Sequence, residues 1–267
     1  SNAGAGRVTL SASRKPCSSR GGRVKKLRRI TEAEVIAEFL KGEFFHPEYD
    51  SDREQFADIV NNPDLTNEAE NAIRQALLFR RRDTMWWELP DDRQWWEIDF
   101  APEDVDKVSV FPRAHWRKIA NGDFKARHVA AKVSEQLDRK DTSKFATKMR
   151  EVYSHLRSDD PKRMIVFLGL DENHPVTLLE GNHRFIASLL VADGTGLSNA
   201  RMVGVFSPKM EQCCWYKTNF QTLFRCLKNR IKHKWDRDTD VSSLLQQATH
   251  RQTVSASAEN ALPIKQK

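Results

Sequence analysis

The fold is decided by residues 164–194, which read MIVFLGLDENHPVTLLEGNHRFIASLLVADG. Two apolar runs, at 164–170 and 176–179, have the length and composition of buried strands, and the polar run between them is typical of a turn. The apolar run at 185–192 is long enough for a buried helix, and the Asp-Gly pair after it is typical of a helix end. With a further apolar run at 201–206, the stretch predicts the order strand, turn, strand, helix, strand.

The chemistry of this stretch is concentrated where the second strand meets the helix, at Glu180-Gly181-Asn182-His183-Arg184. The first turn of a helix has amide hydrogens without intrahelical partners, so the amides of Asn182, His183 and Arg184 are predicted to bind phosphate or another anion. Gly181 would let the backbone approach that anion, and Arg184 would hold its oxygens in a bidentate contact. Two candidate catalytic residues follow. His183, with a pKa near neutrality, would shuttle protons, and Glu180 would act as a base or as a ligand of Mg²⁺.

A purely structural interpretation of the same residues is also open. Glu180 and Arg184 lie four residues apart and can pair across the turn, Asn182 can cap the helix, and His183 can be a half-buried histidine with satisfied hydrogen bonds. Arg113 and the short helix that carries His115 are a further candidate, because they can approach the turn across the sheet. The alternative for them is an ordinary surface helix.

The turn and the elements around it resemble the ParB/sulfiredoxin superfamily, in which a small α+β domain carries a phosphate-binding G-x-x-R or G-x-H-R turn before a helix. Gly181, His183 and Arg184 match that pattern. The resemblance implies an α+β fold with a ParB/sulfiredoxin-like domain at about residues 95–207, in which a small mixed sheet is wrapped by N- and C-terminal helices. It also implies binding of a nucleotide such as ATP, ADP or CTP, with Mg²⁺.

The turn also departs from the best-known patterns of that superfamily. Sulfiredoxins have a nucleophilic cysteine where this chain has Asn182, so sulfiredoxin chemistry is not expected. Partition-type ParB proteins have glutamate at that position and a helix-turn-helix domain afterwards, and no clear helix-turn-helix pattern follows Phe206. The turn is closest in type to Asp-Gly-His-His-Arg of the ParB-like free-serine kinases, with Glu180 for aspartate and Asn182 for the first histidine.

The net charge of +7 is a property of the N-terminal segment. Residues 1–30 hold nine lysines and arginines and no acidic residue, so the remaining 35 basic and 37 acidic side chains nearly balance. This segment is predicted to be a disordered basic tail that can neutralise nucleic-acid phosphates, with a solvated leader without a partner as the alternative. The candidate nucleic-acid contacts come from the tail and from the basic half of a C-terminal helix: Arg23, Lys25, Lys26, Arg28, Arg29, Lys228, Arg230, Lys232 and Lys234.

The cysteines do not have the sequence spacing of metal ligands. Cys213 and Cys214 are adjacent, and Cys17 and Cys226 stand alone, so no zinc is expected and no metal site formed by the cysteines. Unpaired thiols are usual in a reducing compartment, and no stretch has the roughly 20 apolar residues of a membrane span. We therefore expect a cytoplasmic protein without a membrane partner.

The rest of the chain is predicted to surround the central domain. Residues 31–94 predict a helical N-terminal layer that begins with a capping box at Thr31 and Glu34. Trp86, Trp87, Trp95 and Trp96 lie close together in the sequence, and core packing is the expected role of these rings, with base or sugar stacking as the alternative. Residues 208–240 predict a long helix, from about 209 to 235, packed on the domain, and residues 241–267 predict a polar tail.

Three functional hypotheses follow. The first is a nucleotide- or phosphate-binding protein, which extends to a phosphotransferase or nucleotide hydrolase. The second is a nucleic-acid-binding or nuclease-like protein that uses the basic tail and the C-terminal helix. The third is a non-catalytic interaction module that docks a partner on its tryptophan-rich segment. The oligomeric state is left open.

Overall fold

A mixed six-stranded sheet forms the centre of the protein. The structure is a computed structural model and describes residues 24–112, 114–139, 141–156, 164–191, 200–235 and 242–250. The strands are β1 (Lys25–Ile30), β2 (Gln94–Asp99), β3 (Val108–Val110), β4 (Met164–Gly169), β5 (Val176–Glu180) and β6 (Arg201–Phe206). They lie in the order β1-β2-β6-β4-β5-β3, in which β4 and β6 are parallel, β3 and β5 are parallel, and the other neighbours are antiparallel.

Helices cover both faces of this sheet. They are α1 (Glu32–Glu43), α2 (Asp50–Asn61), α3 (Glu68–Trp86), α4 (Ala114–Ala120), α5 (Ala126–Asp138), α6 (Lys144–Leu156), α7 (Asn182–Leu189) and α8 (Phe220–Trp235), followed by a helical segment at 242–250. The first three helices and the segment 242–250 contribute to one hydrophobic core, and α4 to α7 contribute to the other. Within the described residues, no helix is both long enough and apolar enough to cross a lipid bilayer.

The strand β4 contributes side chains to both hydrophobic cores, which lie on opposite faces of the sheet. All six of its residues are buried, and its side chains alternate between the two faces, as they do in any strand. Val166 and Leu168 belong to the core under α1 to α3, whereas Ile165 and Phe167 belong to the core under α4 to α7. The mixed α+β architecture and the strand–turn–strand–helix order predicted from residues 164–194 are therefore confirmed.

The basic N-terminal segment was predicted to be disordered up to residue 30, and this is wrong for its last part. Residues Lys25–Ile30 form the edge strand β1. The strand pairs with β2, and two of its cations have acidic partners. Lys26 Nζ lies 2.7 Å from a Glu172 oxygen, and Arg28 contacts Glu34 and Glu97. Residues 1–23, and with them Arg23, lie outside the described part of the chain.

The tryptophan-rich segment packs as expected. Trp86 and Trp95 are both buried, and their rings stack with centroids 5.6 Å apart. They link the end of α3 to the start of β2 on the side of the sheet that α1 covers.

The prediction of one long helix from about residue 209 to residue 235 is wrong for its first half. After β6 the chain makes only a short 3₁₀ helix at Met210–Gln212, and α8 begins at Phe220. The start is fixed by a reciprocal cap, in which the Thr222 amide donates to Asn219 Oδ1 and the Asn219 amide donates to Thr222 Oγ1. An Asn-x-x-Thr sequence before a helix is a local start signal, and it overrides the helix-compatible periodicity upstream of it.

Candidate functional site

The β5–α7 turn depends on Gly181, which adopts a left-handed backbone conformation with φ +82°. A Cβ placed on this glycine would lie 3.0 Å from Ile165 Cγ1 and 3.2 Å from Ile165 Cα. The glycine is therefore required because β4 passes directly beside the turn, and because other residues rarely tolerate this φ. The predicted reason, that the missing Cβ lets the backbone approach an anion, stays a prediction beside this steric one.

The helix α7 begins with Gly181 as its N-cap and Asn182 as its first residue. Asn182 therefore does not act as the N-cap that the structural interpretation predicted. The Phe185 amide donates to the Gly181 carbonyl, so the amides of Asn182, His183 and Arg184 belong to the turn that an α-helix cannot satisfy internally.

The Asn182 side chain is buried beneath this first turn, with 5% of its surface exposed. Its Nδ2 donates to the Leu179 carbonyl over 3.4 Å, and its Oδ1 is buried without a hydrogen-bond partner. A buried acceptor without a donor is destabilising and uncommon in a native protein. The first turn of α7 thus contains a buried hydrogen-bond acceptor, Asn182 Oδ1, that no described neighbour satisfies.

His183 projects from this turn into an aromatic environment. Its ring centroid lies 5.0 Å from that of Trp116 on α4 and 5.6 Å from that of Phe145 on α6. Burial, together with the charges of Lys148, Arg184 and His115, lowers the pKa of His183 to about 4. The imidazole is therefore neutral at pH 7, because the surroundings disfavour a second proton, and the predicted pKa near neutrality is wrong. The predicted part of His183 in proton transfer stays a prediction.

Cations surround the first turn of α7. Each charged residue that shifts the pKa of His183 is a base: Lys148 of α6, Arg184 of α7 and His115 of α4. Lys148 also lowers the pKa of His46, which follows α1, although burial is the largest cause of that shift. The side chains of Lys148 and His115 are exposed, and that of Arg184 is half-buried. The local field therefore favours a negative charge at the mouth of the turn.

Glu180 belongs to a separate ionic network. Its Oε2 lies 3.1 Å from Arg82 Nη2, and both side chains are about one-fifth exposed. Arg82 interrupts α3 with a non-helical backbone (φ −128°, ψ 15°) and places its guanidinium 5.6 Å from the centre of the Phe39 ring. Glu43 accepts a short hydrogen bond from Arg81 in the same network. This pairing ties the end of β5 to α3, a partner that the four-residue spacing of Glu180 and Arg184 could not predict.

A buried tyrosine completes this network. The hydroxyl of Tyr49 is buried without a hydrogen-bond partner, and burial raises the pKa of Tyr49 to about 12. The charges of Arg81, Glu43, Arg82 and Glu48 also act on this hydroxyl, with the arginines and the glutamates opposing each other. The acidic and basic groups here largely compensate one another, in contrast to the cationic surroundings of His183.

The sequence identified the turn but missed the groups that other elements bring to it. Lys148 lies on a helix that showed only an apolar stripe, and Arg82 is one of three consecutive arginines at the end of α3. Trp116 and His115, on the helix named as a further candidate, do lie against His183 or its aromatic neighbour Phe145. Arg113 lies outside the described residues.

The described residues among the predicted nucleic-acid contacts lie on two elements, β1 and α8. Lys26 and Arg28 are engaged in ion pairs on β1, where Lys25 and Arg29 are exposed. On α8, Lys228, Arg230 and Lys232 are exposed, and the side chain of Lys234 lies outside the described part. These α8 cations flank an exposed apolar stripe made of Phe220 (84% exposed), Phe224 (63%), Leu227 (55%) and Ile231 (53%).

The turn has few carboxylate oxygens that could bind the predicted Mg²⁺. Glu180 is the only carboxylate within the turn sequence, and its contact with Arg82 already neutralises it. The described residues around His183 contribute positive charges, which repel a metal cation. The arrangement therefore suits an anion better than a metal ion.

Comparisons of the chain with models of protein families, with characterised proteins and with solved structures find no match. The resemblance to the ParB/sulfiredoxin superfamily thus stays a prediction that rests on the β5–α7 turn.

Proposed function

We propose that the β5–α7 turn binds the phosphate group of a nucleotide or of another small anionic ligand. The observation that carries the proposal is the surroundings of His183, where Lys148 and Arg184 supply positive charges and no acidic group acts on the ring among the described residues. These charges lie near the first turn of α7, where a helix has no internal acceptors for its amides, and both features would stabilise an anion.

Each group has a distinct part in this binding. The amides of Asn182, His183 and Arg184 donate to the anion, and the neutral imidazole of His183 offers one further N–H. Arg184 and Lys148 supply the charge that a neutral donor lacks, and a charge-assisted hydrogen bond is roughly twice as strong as a neutral one. The buried Oδ1 of Asn182 is an acceptor, so a hydroxyl or water molecule that enters with the ligand would satisfy it.

The direct test is equilibrium binding of ATP, ADP, CTP and inorganic phosphate, each with and without Mg²⁺. We expect binding of at least one of them without Mg²⁺, and roughly tenfold weaker binding in Lys148→Ala and in Arg184→Gln, which corresponds to ~1.4 kcal/mol for each lost contact. Lys132→Ala is the matched control, because Lys132 is also an exposed helical lysine and pairs with Glu135 on α5. Wild-type affinity in both turn variants would place the ligand elsewhere.

Catalysis at this turn is a separate extension of the proposal. Phosphoryl transfer or hydrolysis needs a group that accepts a proton, and Glu180 is the carboxylate nearest in sequence to the turn. Glu180→Gln would then abolish turnover of a bound nucleotide and leave its affinity within about twofold, because the residue contributes no charge to the anion site as described. Binding without turnover in the wild type would limit the protein to ligand recognition.

A second candidate function is docking of a protein partner on α8. The stripe of Phe220, Phe224, Leu227 and Ile231 has alternating spacings of four and three residues, which is the pattern of a helix–helix seam. Its flanks at Lys228 and Arg230 would repel a second copy of the same helix and would attract an acidic amphipathic helix. This surface takes the place of the tryptophan-rich segment, whose rings Trp86 and Trp95 are buried in the core.

Salt dependence separates a helical partner from nucleic acid on this surface. Binding of oligonucleotides that falls steeply with salt and is lost in Lys228→Ala would indicate a nucleic-acid surface. Binding of an acidic amphipathic peptide that is lost in Leu227→Ser and keeps much of its strength in high salt would indicate the protein interface.

A further inference from the structure

Three potential metal ligands that are far apart in the sequence meet behind α8. Glu88 follows the end of α3, Cys214 lies in the loop after β6, and Cys226 lies on α8. Their ligand atoms, one carboxylate oxygen and two sulfurs, all lie within 4.8 Å of one another. The three residues are buried, with 6%, 0% and 6% of their surfaces exposed, respectively.

The inner face of α8 is polar, which is unusual for a helix that packs on a domain. Among the α8 residues whose burial is described, only Thr222 and Cys226 are buried, and Asn229 is half-buried one turn further along. The large apolar side chains of the helix point away from the body of the protein. Apolar burial, the usual force that attaches a helix to a domain, therefore contributes little on this face.

We propose that Glu88, Cys214 and Cys226 bind a thiophilic divalent cation such as Zn²⁺. Zn²⁺ binds sulfur at about 2.3 Å and carboxylate oxygen at about 2.0–2.2 Å, so tetrahedral ligand atoms lie roughly 3.5–3.8 Å apart. The observed cluster needs movements of no more than about 1 Å to reach this spacing, which rotation of the side chains can supply. Three protein ligands leave the fourth tetrahedral position for a water molecule.

The surroundings supply an outer shell for this site. Asn229 Nδ2 donates to Glu88 Oε1 over 3.0 Å, so the amide orients the carboxylate that would bind the ion. Thr218 Oγ1 donates to the Cys214 carbonyl over 2.9 Å and fixes the loop that carries this cysteine. Both thiols must lose their protons on binding, and the ion compensates the charges that would otherwise be buried.

The site would connect three separate parts of the chain. It would join the end of α3, the loop after β6 and the middle of α8, and so hold the helix against the body through its polar face. The adjacency of Cys213 and Cys214 hid this possibility in the sequence, because metal sites are usually recognised there by ligands spaced a few residues apart.

The test is titration of the full chain, purified under reducing conditions and depleted of metal, with Co²⁺ and Zn²⁺. We expect one ion per chain, a thiolate-to-cobalt charge-transfer absorption that Zn²⁺ displaces, and affinity that falls as the pH is lowered. Cys214→Ser and Cys226→Ser should each lose that absorption. Cys213→Ser is the matched control, a neighbouring buried cysteine outside the cluster, and should keep it.

Further variants distinguish a metal site from other uses of the thiols. Asn229→Ala should weaken the metal affinity by roughly 10–100-fold, as loss of an outer-shell contact does. Because Zn²⁺ bound only to the folded state raises the melting temperature, that rise should be present in the wild type and absent in Cys226→Ser, even if this variant is less stable. A wild type that binds no ion, or that binds it equally well in both serine variants, would overturn the proposal. A Cys214–Cys226 disulfide that persists in mild reductant would also overturn it.

Discussion

The buried imidazole of His183 makes the stability of the protein depend on pH in a defined window. Burial and the neighbouring cations lower its pKa to about 4 in the folded protein, from 6.5 in an unfolded chain. Between these two values the unfolded chain binds the proton and the folded protein does not, so the free energy of unfolding decreases as the pH falls from 6.5 towards 4. At pH 7 the folded protein is neutral at this residue and only about a quarter of the unfolded chains are protonated there, so the penalty is small.

The magnitude follows from the size of the pKa difference. Complete titration would remove about 3 kcal/mol, and about 2 kcal/mol of this is already lost at pH 5. His183→Gln keeps a polar side chain of similar length and cannot titrate. Its free energy of unfolding should therefore fall by about 2 kcal/mol less than that of the wild type between pH 7 and pH 5.

The assay is urea unfolding of both proteins at a series of pH values in a buffer without phosphate. The difference between the two curves cancels the contributions of the other titrating groups, provided that they do not contact His183. Parallel curves over this range would refute the assignment of a buried, neutral imidazole. Phosphate should reduce the difference if it binds at the turn, because a nearby anion stabilises the protonated imidazole.

Three further perturbations test the geometry. Gly181→Ala should destabilise the protein by roughly 1–3 kcal/mol in chemical denaturation, because the left-handed backbone and the adjacent strand leave no space for a Cβ, whereas Gly42→Ala in open space on α1 should be neutral or stabilising. A double-mutant cycle of Glu180→Gln and Arg82→Gln should give a coupling free energy of about 1 kcal/mol, and a value near zero would show that their contact is not stabilising. Phe224→Ser should leave the unfolding midpoint almost unchanged, because the ring is 63% exposed, and a large loss of stability would show that α8 packs through its apolar face.

The order of elements around the turn could be predicted because local patterns determine it. The apolar runs at 164–170 and 176–179 form strands and contain no charged residue, and Gly181 marks the change from strand to helix. The turn residues were identified for the same reason, since a glycine and a cluster of polar residues between two buried elements stand out in the sequence.

The surroundings of the turn could not be predicted, because they come from distant elements. The pKa of His183 depends on Lys148 and on burial against α4 and α6, and neither leaves a signal near the histidine in the sequence. The start of α8 was missed for a different reason, since the cap formed by Asn219 and Thr222 is a local signal that the apolar periodicity concealed. The meeting of Cys214 with Cys226 is likewise a result of tertiary folding.

Because the side chains of β4 point alternately into two cores, a truncated fragment of the chain would expose one of these cores. Val203 and Val205 of β6, together with Val166 and Leu168, face the first three helices. A fragment that begins near residue 95 would keep these side chains and lose the layer that shields them from water. It would also lose β1, the outer neighbour of β2. We therefore expect a fragment that begins near residue 95 not to fold on its own, and we expect shortened versions for crystallisation or binding work to need residues 24–94.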